Sequence, residues 1–240
     1  MHDTEGVRVV PVTGIGEVAP GTDLADLIAA AARASGPELH DGDVVVVTQK
    51  VVSKSEGRLV ELDHDDAAAK AALVERESAR ILRRRGELVI SETRHGFVCA
   101  NAGVDLSNVG EGTAALLPED SDRSARRLRA GLQRALGVTV GVVVSDTFGR
   151  PWRRGVTDVA IGCAGVAGVV DLKGTPDAGG RELVATEICV ADEIASAAEL
   201  VMGKDRGVPV AVVRGLASEW LRPGDVRSEI VRPPAEDLFR

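Results

Sequence analysis

Several short polar segments hold most of the side chains that could carry chemistry. The most informative is SDTFGRPWRRG, residues 145–155, which directly follows the apolar run VTVGVVV. An acid and a hydroxyl that leave a buried strand are a common way for nucleotide enzymes to hold Mg²⁺, and arginines beside them can neutralise a transferred phosphoryl group. The structural alternative is a cation–π contact between Trp152 and a neighbouring arginine. We favour a functional loop, because packing does not explain so polar a segment.

The segment QKVVSK, residues 49–54, follows a second apolar run, DVVVVT. Ligands of sheets of this kind bind outside the carboxyl ends of the strands, so Lys50, Ser53 and Lys54 are placed to meet phosphate oxygens. A polar loop with solvated lysines is an equally good interpretation of the same residues.

The segment NAGVDLSNVG, residues 101–110, combines small residues with the acid Asp105 and the amides Asn101 and Asn108. Hard divalent cations prefer carboxylate oxygens, and amide groups beside them can bind a phosphate or a base. Taken alone, the segment is more typical of an Asx-rich turn.

The segment GIGEVA, Gly14–Ala19, has the loose G-x-G-x-x-A pattern of dinucleotide-binding loops. In that pattern the helix opens within the glycines and its N-terminus meets the pyrophosphate. Here Pro20 and Gly21 intervene and we expect the helix to begin near Asp23, which leaves open a plain turn or a nucleotide loop of another kind. A Walker loop is excluded because Lys204 is followed by an acid rather than by Ser or Thr.

The composition is that of a soluble globular protein, with 44% hydrophobic and 28% charged residues among 240. A net charge of −8 and only two Trp, three Phe and no Tyr argue against a nucleic-acid partner. Neither a signal peptide nor an apolar run of membrane-spanning length occurs, so we expect a cytoplasmic protein with no membrane partner. The three cysteines are expected to be small buried residues.

Apolar runs alternate with helical patterns, which predicts a mixed α/β (α+β) fold of valine-rich sheets with packed helices. The three arginines at 83–85 match the favourable charge at a helix C-terminus. Residues 8–217 are predicted to form the catalytic unit, in one lobe or two, and residues 218–240 a Pro- and Gly-containing tail that wraps the surface. The predicted helices lie after residue 22 and at 66–85, 123–136 and 192–202, and the predicted strands at 8–12, 43–48, 87–91, 97–100, 138–144, 166–170, 183–190 and 208–213.

Taken together and in this order, these segments resemble the coenzyme F420-0:L-glutamate ligases (F420:γ-glutamyl ligases), which use GTP to attach glutamate to a deazaflavin cofactor precursor. The resemblance extends from VVPVTGIGEVAPGTDL through DGDVVVVTQKVVSKSEGR and GVVVSDTFGRPWRRGVTDVAIGCAG to VPVAVVRG. It implies a family-specific fold in an intertwined homodimer. It also implies three substrates, coenzyme F420-0, L-glutamate and GTP.

The resemblance further implies which residues form the site. Lys204 stands where some relatives carry a Gln that helps to hold a second metal, and Gln49 stands where a Ser is common. A protonated lysine cannot coordinate a metal, although it can touch phosphate directly. The implied divalent ions are Mg²⁺ or Mn²⁺, two in number, with K⁺ as a candidate further ion. The implied residues are Ile15, Gly16, Glu17, Val18, Gln49, Lys54, Asn108, Gly203 and Lys204 for GTP, Asp105, Asp146 and Thr147 for metal, and Lys54 and Arg150 for offsetting charge during the transfer.

The implied reaction begins with phosphorylation of the terminal carboxylate of the deazaflavin substrate by GTP. The α-amine of glutamate then displaces phosphate from the acyl phosphate and forms an amide, and the product F420-1 can be extended in the same way. Two alternatives stay open at this point. One is a non-catalytic carrier or sensor of deazaflavin or nucleotide, which the departure at Lys204 leaves open. The other is a nicotinamide oxidoreductase, which Pro20 disfavours.

Overall fold

The computed structural model describes residues 6–34, 36–107, 110 and 112–238, and these form the mixed α/β fold that the sequence predicts. The elements, in chain order, are β1 (Arg8–Val12), α1 (Leu24–Ala34), β2 (Val44–Thr48), α2 (Gln49–Ser55), β3 (Leu59–Glu61), α3 (Ala67–Glu77), β4 (Ser78–Arg85), β5 (Leu88–Thr93), β6 (Val98–Ala100), β7 (Thr113–Ala115), α4 (Ser121–Leu136), β8 (Gly141–Gly149), β9 (Val156–Ala164), β10 (Val170–Asp171), β11 (Glu187–Ile188), α5 (Val190–Met202), β12 (Val210–Arg214) and α6 (Val226–Glu229).

A five-stranded sheet with the order β1-β12-β2-β8-β9 forms the centre of the molecule. One face packs against α1 and α4, and the other against α5 and α6. The four valines Val44–Val47 of β2 are all 0% exposed, because this strand has neighbours on both sides and helices on both faces. A strand buried in this way reads as a continuous apolar run, which is the pattern that the sequence shows.

The direction of two central strands decides where a ligand can bind. Strands β2 and β8 are parallel neighbours, with Thr48 opposite Ser145, whereas every other pair in this sheet is antiparallel. Their carboxyl ends therefore meet at one edge of the sheet. Helix α2 begins at this edge immediately after β2, and β8 continues past it with Asp146 and Thr147.

The helix predicted at 66–85 is shorter than expected, and its arginines lie elsewhere. Helix α3 ends at Glu77, and Ser78–Arg85 form an edge strand of the sheet β4-β5-β6. Pairing with β5 outweighs the good helix propensity of arginine, and Ile81 packs against the buried Val74 and Val89. The arginines at 83–85 are therefore strand residues, and the prediction of a dipole-matched helix end was wrong.

Two segments predicted as loops are regular elements. The polar stretch after Val144 continues β8 as far as Gly149 and returns as β9, which the sequence pattern did not indicate. The segment 49–54 is the helix α2, so its side chains take fixed directions. Of the strand predicted at 183–190, only Glu187–Ile188 pair, with β10.

The segment after residue 217 lies against the second face of the sheet. It contains α6, whose Val226 is 0% exposed, and the carboxylate of Asp122 in α4 accepts hydrogen bonds from the backbone amides of Val226 and Arg227. The division at residue 218 and the intertwined homodimer stay predictions. No helix in the described part of the chain is long and apolar enough to cross a bilayer.

Candidate active site

A cavity of about 600 Å³ opens at the carboxyl edge of β2 and β8. Segments that are far apart in the sequence form its walls: the turn after β1, the start of α2, the loop after β6, the ends of β8 and β9, and the loop after α5. Eleven of the thirteen residues predicted for the site line this cavity: Ile15, Gly16, Glu17, Val18, Gln49, Lys54, Asp105, Asp146, Thr147, Gly203 and Lys204.

The other two predicted residues are not among the lining residues. Asn108 falls outside the described residues. Arg150 lies at the exposed turn between β8 and β9, where its guanidinium donates a hydrogen bond of 3.1 Å to the carbonyl of Arg154. Strand β8 runs on to Gly149, past the residues that line the cavity, before the chain turns at Arg150. A charge-offsetting role for Arg150 stays a prediction and is not used below.

Buried apolar side chains fix the turn after β1. Ile15 and Val18 are buried in the core cluster under α1, and Gly16 between them has open space where a Cβ would stand. Helix α1 begins only at Leu24, with Asp23 accepting hydrogen bonds from the amides of Ala25 and Asp26. The first helix therefore does not open within the glycines, as it would in a Rossmann site.

Asp146 is a buried acid in the wall of the cavity. Burial of its carboxyl group, together with the negative charges of Asp105 and Asp158, raises its pKa to about 7, although the amide of Thr147 donates to it at 2.8 Å. The positive charge of Lys204 lowers this pKa, but it does not offset the burial and the two carboxylates. Such a group is stabilised in its ionised form by a cation, so its position fits a metal ligand.

Asp158 belongs to the same site, although the sequence analysis did not identify it. It lies on β9 directly opposite Thr147 and is 1% exposed. Its carboxylate accepts hydrogen bonds from the hydroxyls of Ser145 at 3.0 Å and Thr147 at 2.6 Å. The one signal in the sequence is an isolated acid within the otherwise apolar stretch VTDVAIGCA.

Lys204, in the loop after α5, contacts both Asp158 and Thr147. Its ammonium group lies 3.1 Å from the Asp158 carboxylate and also contacts the Thr147 hydroxyl. The Lys204 side chain is 56% exposed, so its positive charge faces the cavity, whereas the Asp158 carboxylate that it pairs with is buried. A fixed ammonium here can contact phosphate oxygens directly, as the sequence predicts for a lysine at this position.

Hydrogen bonds and an ion pair fix the carboxylate of Asp105. The Lys50 ammonium lies 2.9 Å from its carboxylate, and the amide and hydroxyl of Ser107 donate to it at 2.7 and 2.8 Å. Burial alone would raise the pKa of Asp105, but the hydrogen bonds from Lys50 and Ser107 hold it below its usual value. Asp105 is therefore an ionised oxygen donor, and Lys50, which the sequence placed near phosphate, binds it.

The start of α2 is tied to the segment after β7. Gln49 is 2% exposed and donates to the Leu116 carbonyl at 3.0 Å, and Ser53 donates to the same carbonyl at 2.6 Å. Ser53 thus has a structural partner and does not line the cavity, contrary to the expectation that it meets phosphate. Lys54 does line it, with its ammonium 3.1 Å from the Glu17 carboxylate.

The donor set suits a hard divalent ion. Asp105, Asp146 and Thr147 offer only oxygen atoms, which Mg²⁺ and Mn²⁺ prefer. Among the described residues, no three His, Cys, Asp or Glu side chains already form a ligand cluster. Mg²⁺ usually takes one or two carboxylates and completes its coordination with water and substrate phosphates, so these residues fit an ion that arrives with a nucleotide.

Comparison with known proteins agrees with the geometry. The profile of the F420-0:Gamma-glutamyl ligase family matches residues 14–215. A protein of Methanothermobacter thermautotrophicus named Coenzyme F420:L-glutamate ligase is 42% identical over 98% of this chain and 99% of its own length. A protein of Methanopyrus kandleri with the same name is 44% identical over 98% of both chains. The chain therefore belongs to the F420-0:gamma-glutamyl ligase family.

Proposed function

We propose that this chain is a GTP-dependent ligase that joins L-glutamate to the terminal carboxylate of coenzyme F420-0 and then extends the product F420-1, with release of GDP and phosphate. The observation that carries the proposal is the convergence of side chains from separate segments in one cavity at the sheet edge: the carboxylates of Asp105 and Asp146, the hydroxyl of Thr147 and the ammonium groups of Lys54 and Lys204. The substrates are those in the name that the two relatives share, Coenzyme F420:L-glutamate ligase.

The proposed chemistry has two steps. A terminal carboxylate oxygen of F420-0 attacks the γ-phosphorus of GTP, the bond from that phosphorus to the β,γ-bridging oxygen breaks, and GDP leaves. The neutral α-amine of glutamate then attacks the carbonyl carbon of the acyl phosphate. Phosphate leaves with its electron pair, the nitrogen loses one proton, and an amide remains. No covalent bond to the protein is required.

The residues of the cavity fit the demands of the first step. Phosphoryl transfer depends on positioning and on neutralising charge, which Lys54 and Lys204 supply as ammonium groups in the wall. Asp105, Asp146 and Thr147 would hold Mg²⁺ or Mn²⁺, which when bound neutralises phosphate oxygens. Asp158 keeps Thr147 and Lys204 oriented, because both side chains bind its carboxylate.

Further parts of the proposal rest on the family resemblance. A second divalent ion, K⁺, a homodimer and a cytoplasmic location are proposed on that basis. In this chain the Thr147 hydroxyl contacts the ammonium of Lys204. Because a protonated lysine does not coordinate metal, we propose that its fixed positive charge acts on phosphate in place of a ligand to the second ion.

The direct test is to incubate the purified protein with F420-0, L-glutamate, GTP and either Mg²⁺ or Mn²⁺. Mass spectrometry follows the deazaflavin, and release of GDP is measured in parallel. The proposal predicts a glutamyl mass increment that requires both GTP and the metal, with one GDP formed for each glutamate added. Binding of deazaflavin without GDP or amide, after other nucleotides and metals have been tried, would support the carrier alternative instead.

A further inference from the structure

A second cavity, of about 360 Å³, lies at the N-terminus of helix α4, away from the residues assigned above. Its wall includes Arg58, Arg94, His95, Phe97, Ser121, Ile161 and Arg227, together with four acids, Glu77, Glu119, Asp120 and Asp122. The walls therefore come from six separate parts of the chain. Each of the four acids has a partner within the protein: Glu77 and Glu119 pair with Arg58, Asp120 accepts from the amide of Arg123, and Asp122 accepts from the amides of Cys163, Val226 and Arg227.

The second cavity holds two cations that lack an acidic partner. Within the described residues, neither the Arg94 nor the Arg227 guanidinium forms an ion pair with a carboxylate, and Arg94 donates only to the carbonyl of Arg76 at 2.9 Å. By contrast, the third arginine of the wall, Arg58, pairs with Glu77 at 3.4 Å and with Glu119 at 3.8 Å. Two free guanidinium groups suit two carboxylates, each of which can be held by paired hydrogen bonds.

Two buried polar atoms of the same wall are also without partners. Ser121 is 4% exposed, and neither its hydroxyl oxygen nor Nδ1 of His95 has a hydrogen-bond partner among the described residues. Buried polar atoms are nearly always paired, so two unpaired ones in one cavity indicate a ligand. In α4, a helix of 16 residues, the amide of Arg123 donates to the capping Asp120 carboxylate, and the amides of Ser121 and Asp122 add donors at the helix start.

His95 is placed to accept rather than to donate. Burial is the largest effect on this ring and lowers its pKa, against the opposing effect of hydrogen bonds to the carbonyls of Pro118 and Glu119. In a neutral ring one nitrogen donates and the other accepts, and we assign the acceptor to Nδ1, which has no partner among the described residues. An amino group is the complementary donor.

The turn that presents these groups is rigid. Thr93 is 2% exposed, and its hydroxyl accepts hydrogen bonds from the amides of His95 at 3.3 Å and Phe97 at 3.2 Å. On the other wall, a Cβ at Gly162 would lie 2.3 Å from the backbone of Ser121, so only glycine lets α4 begin this close to β9. The second cavity is thus built from fixed elements.

The second cavity lies beside the strand that carries Asp146. Val159 is opposite Asp146 in the sheet, and Ile161, two residues further along β9, is in the wall and in the same core cluster. On the other side, the ring of Phe97 meets the edge of Phe148, with 6.1 Å between the ring centroids. Phe148 follows Asp146 by two residues on β8.

We propose that the second cavity binds the amino-acid substrate, an α-amino acid with a carboxylate in its side chain. Arg94 and Arg227 hold the two carboxylates, the Ser121 hydroxyl donates to one of them, and Nδ1 of His95 accepts from the amino group. This inference rests on the proposed function and adds to it the site of the glutamate that supplies the attacking amine. L-Glutamine lacks the second carboxylate and is expected to bind more weakly.

The test compares three variants with a matched control in the complete reaction. Arg94→Gln, Arg227→Gln and Ser121→Ala are expected to raise the KM for glutamate at least about tenfold each, with the KM for GTP unchanged. Arg123→Gln is the control, because Arg123 is an exposed arginine on the same first turn of α4 and does not line the second cavity. It is expected to behave as wild type.

Two readouts separate binding from folding and from the proposed function. Removing an unpaired buried hydroxyl does not weaken the fold, so Ser121→Ala is expected to keep or raise the Tm while its KM for glutamate rises. An unchanged KM for glutamate in all three variants, or an equal rise for every substrate, would overturn the inference. If the wild type makes no product, the ligase proposal fails, and the Tm measured with L-glutamate then tests the second cavity on its own. A rise in Tm that Arg94→Gln and Arg227→Gln abolish would support glutamate binding there. No rise in Tm would overturn the inference.

Discussion

The Asp158→Asn substitution separates the orientation of the site from the stability of the fold. The Asp158 carboxylate is 1% exposed and accepts hydrogen bonds from two hydroxyls, those of Ser145 and Thr147. It also pairs with Lys204 at 3.1 Å. Asparagine preserves the shape and one acceptor oxygen, but it removes the charge and one of the acceptors.

The structure sets the expected size of both effects. A lost hydroxyl contact costs about 1 kcal/mol, and the ion pair adds less than about 1 kcal/mol, because water solvates the half-exposed Lys204 after the substitution. We expect the free energy of unfolding to fall by about 1–2 kcal/mol, out of roughly 5–15 kcal/mol for a typical domain, so the variant folds. We expect kcat to fall about a hundredfold, because Thr147 and Lys204 lose the partner that orients them.

The assay measures urea unfolding and steady-state turnover of F420-0, glutamate and GTP on the same preparations. Glu187→Gln is the matched control, since Glu187 pairs with Lys173 at 2.6 Å on the exposed β10–β11 hairpin and outside the cavity. It should leave both quantities unchanged. A folded Asp158→Asn protein with the kcat of the wild type would refute the assignment of an orienting role.

Three further predictions test other parts of the structure. Removing divalent ions with a chelator should abolish turnover, and adding Mg²⁺ or Mn²⁺ should restore it; full activity without metal would contradict the donor set of Asp105, Asp146 and Thr147. Gly162→Ala should lower the free energy of unfolding in urea by about 1–3 kcal/mol, since its Cβ would stand 2.3 Å from the Ser121 backbone, whereas the same change at Gly149, with nothing within 4 Å, should cost less. Burial raises the pKa of Cys99 to about 12, so at pH 8 this thiol should stay protonated and resist alkylation until the protein unfolds; rapid native labelling would count against its burial.

The sequence predicted β2, β12 and the first part of β8, because these strands of the central sheet are buried on both faces. The valines of β2 appear as an uninterrupted run, and the expectation that ligands bind beyond such strands brought Lys54 and Asp146 to one edge, where both line the cavity. The mixed α/β class and the family followed from segments of this kind. Short motifs in a fixed order therefore identified the walls of the cavity.

Features that depend on pairing between distant segments could not be predicted in this way. The stretch Ser78–Arg85 has good helix formers and becomes a strand only because β5 lies beside it. Strand β9 contains Thr157, Asp158 and Gly162, which hide its alternation, and one isolated acid is too weak a signal to indicate a site. The second cavity joins His95, Ser121 and Arg227 across 132 positions of the chain, and no spacing in the sequence relates them.

The most direct test of the account is the rate of GTP-dependent glutamylation by Asp146→Asn, measured beside the wild type at saturating Mg²⁺ or Mn²⁺. Burial and two neighbouring carboxylates raise the pKa of Asp146, so a bound cation is expected to stabilise its ionised form. We predict a folded variant with kcat reduced by about a thousandfold or more, in line with the loss of a principal electrostatic group. Turnover at the wild-type rate with the same metal dependence would contradict the assignment of this cavity as the active site.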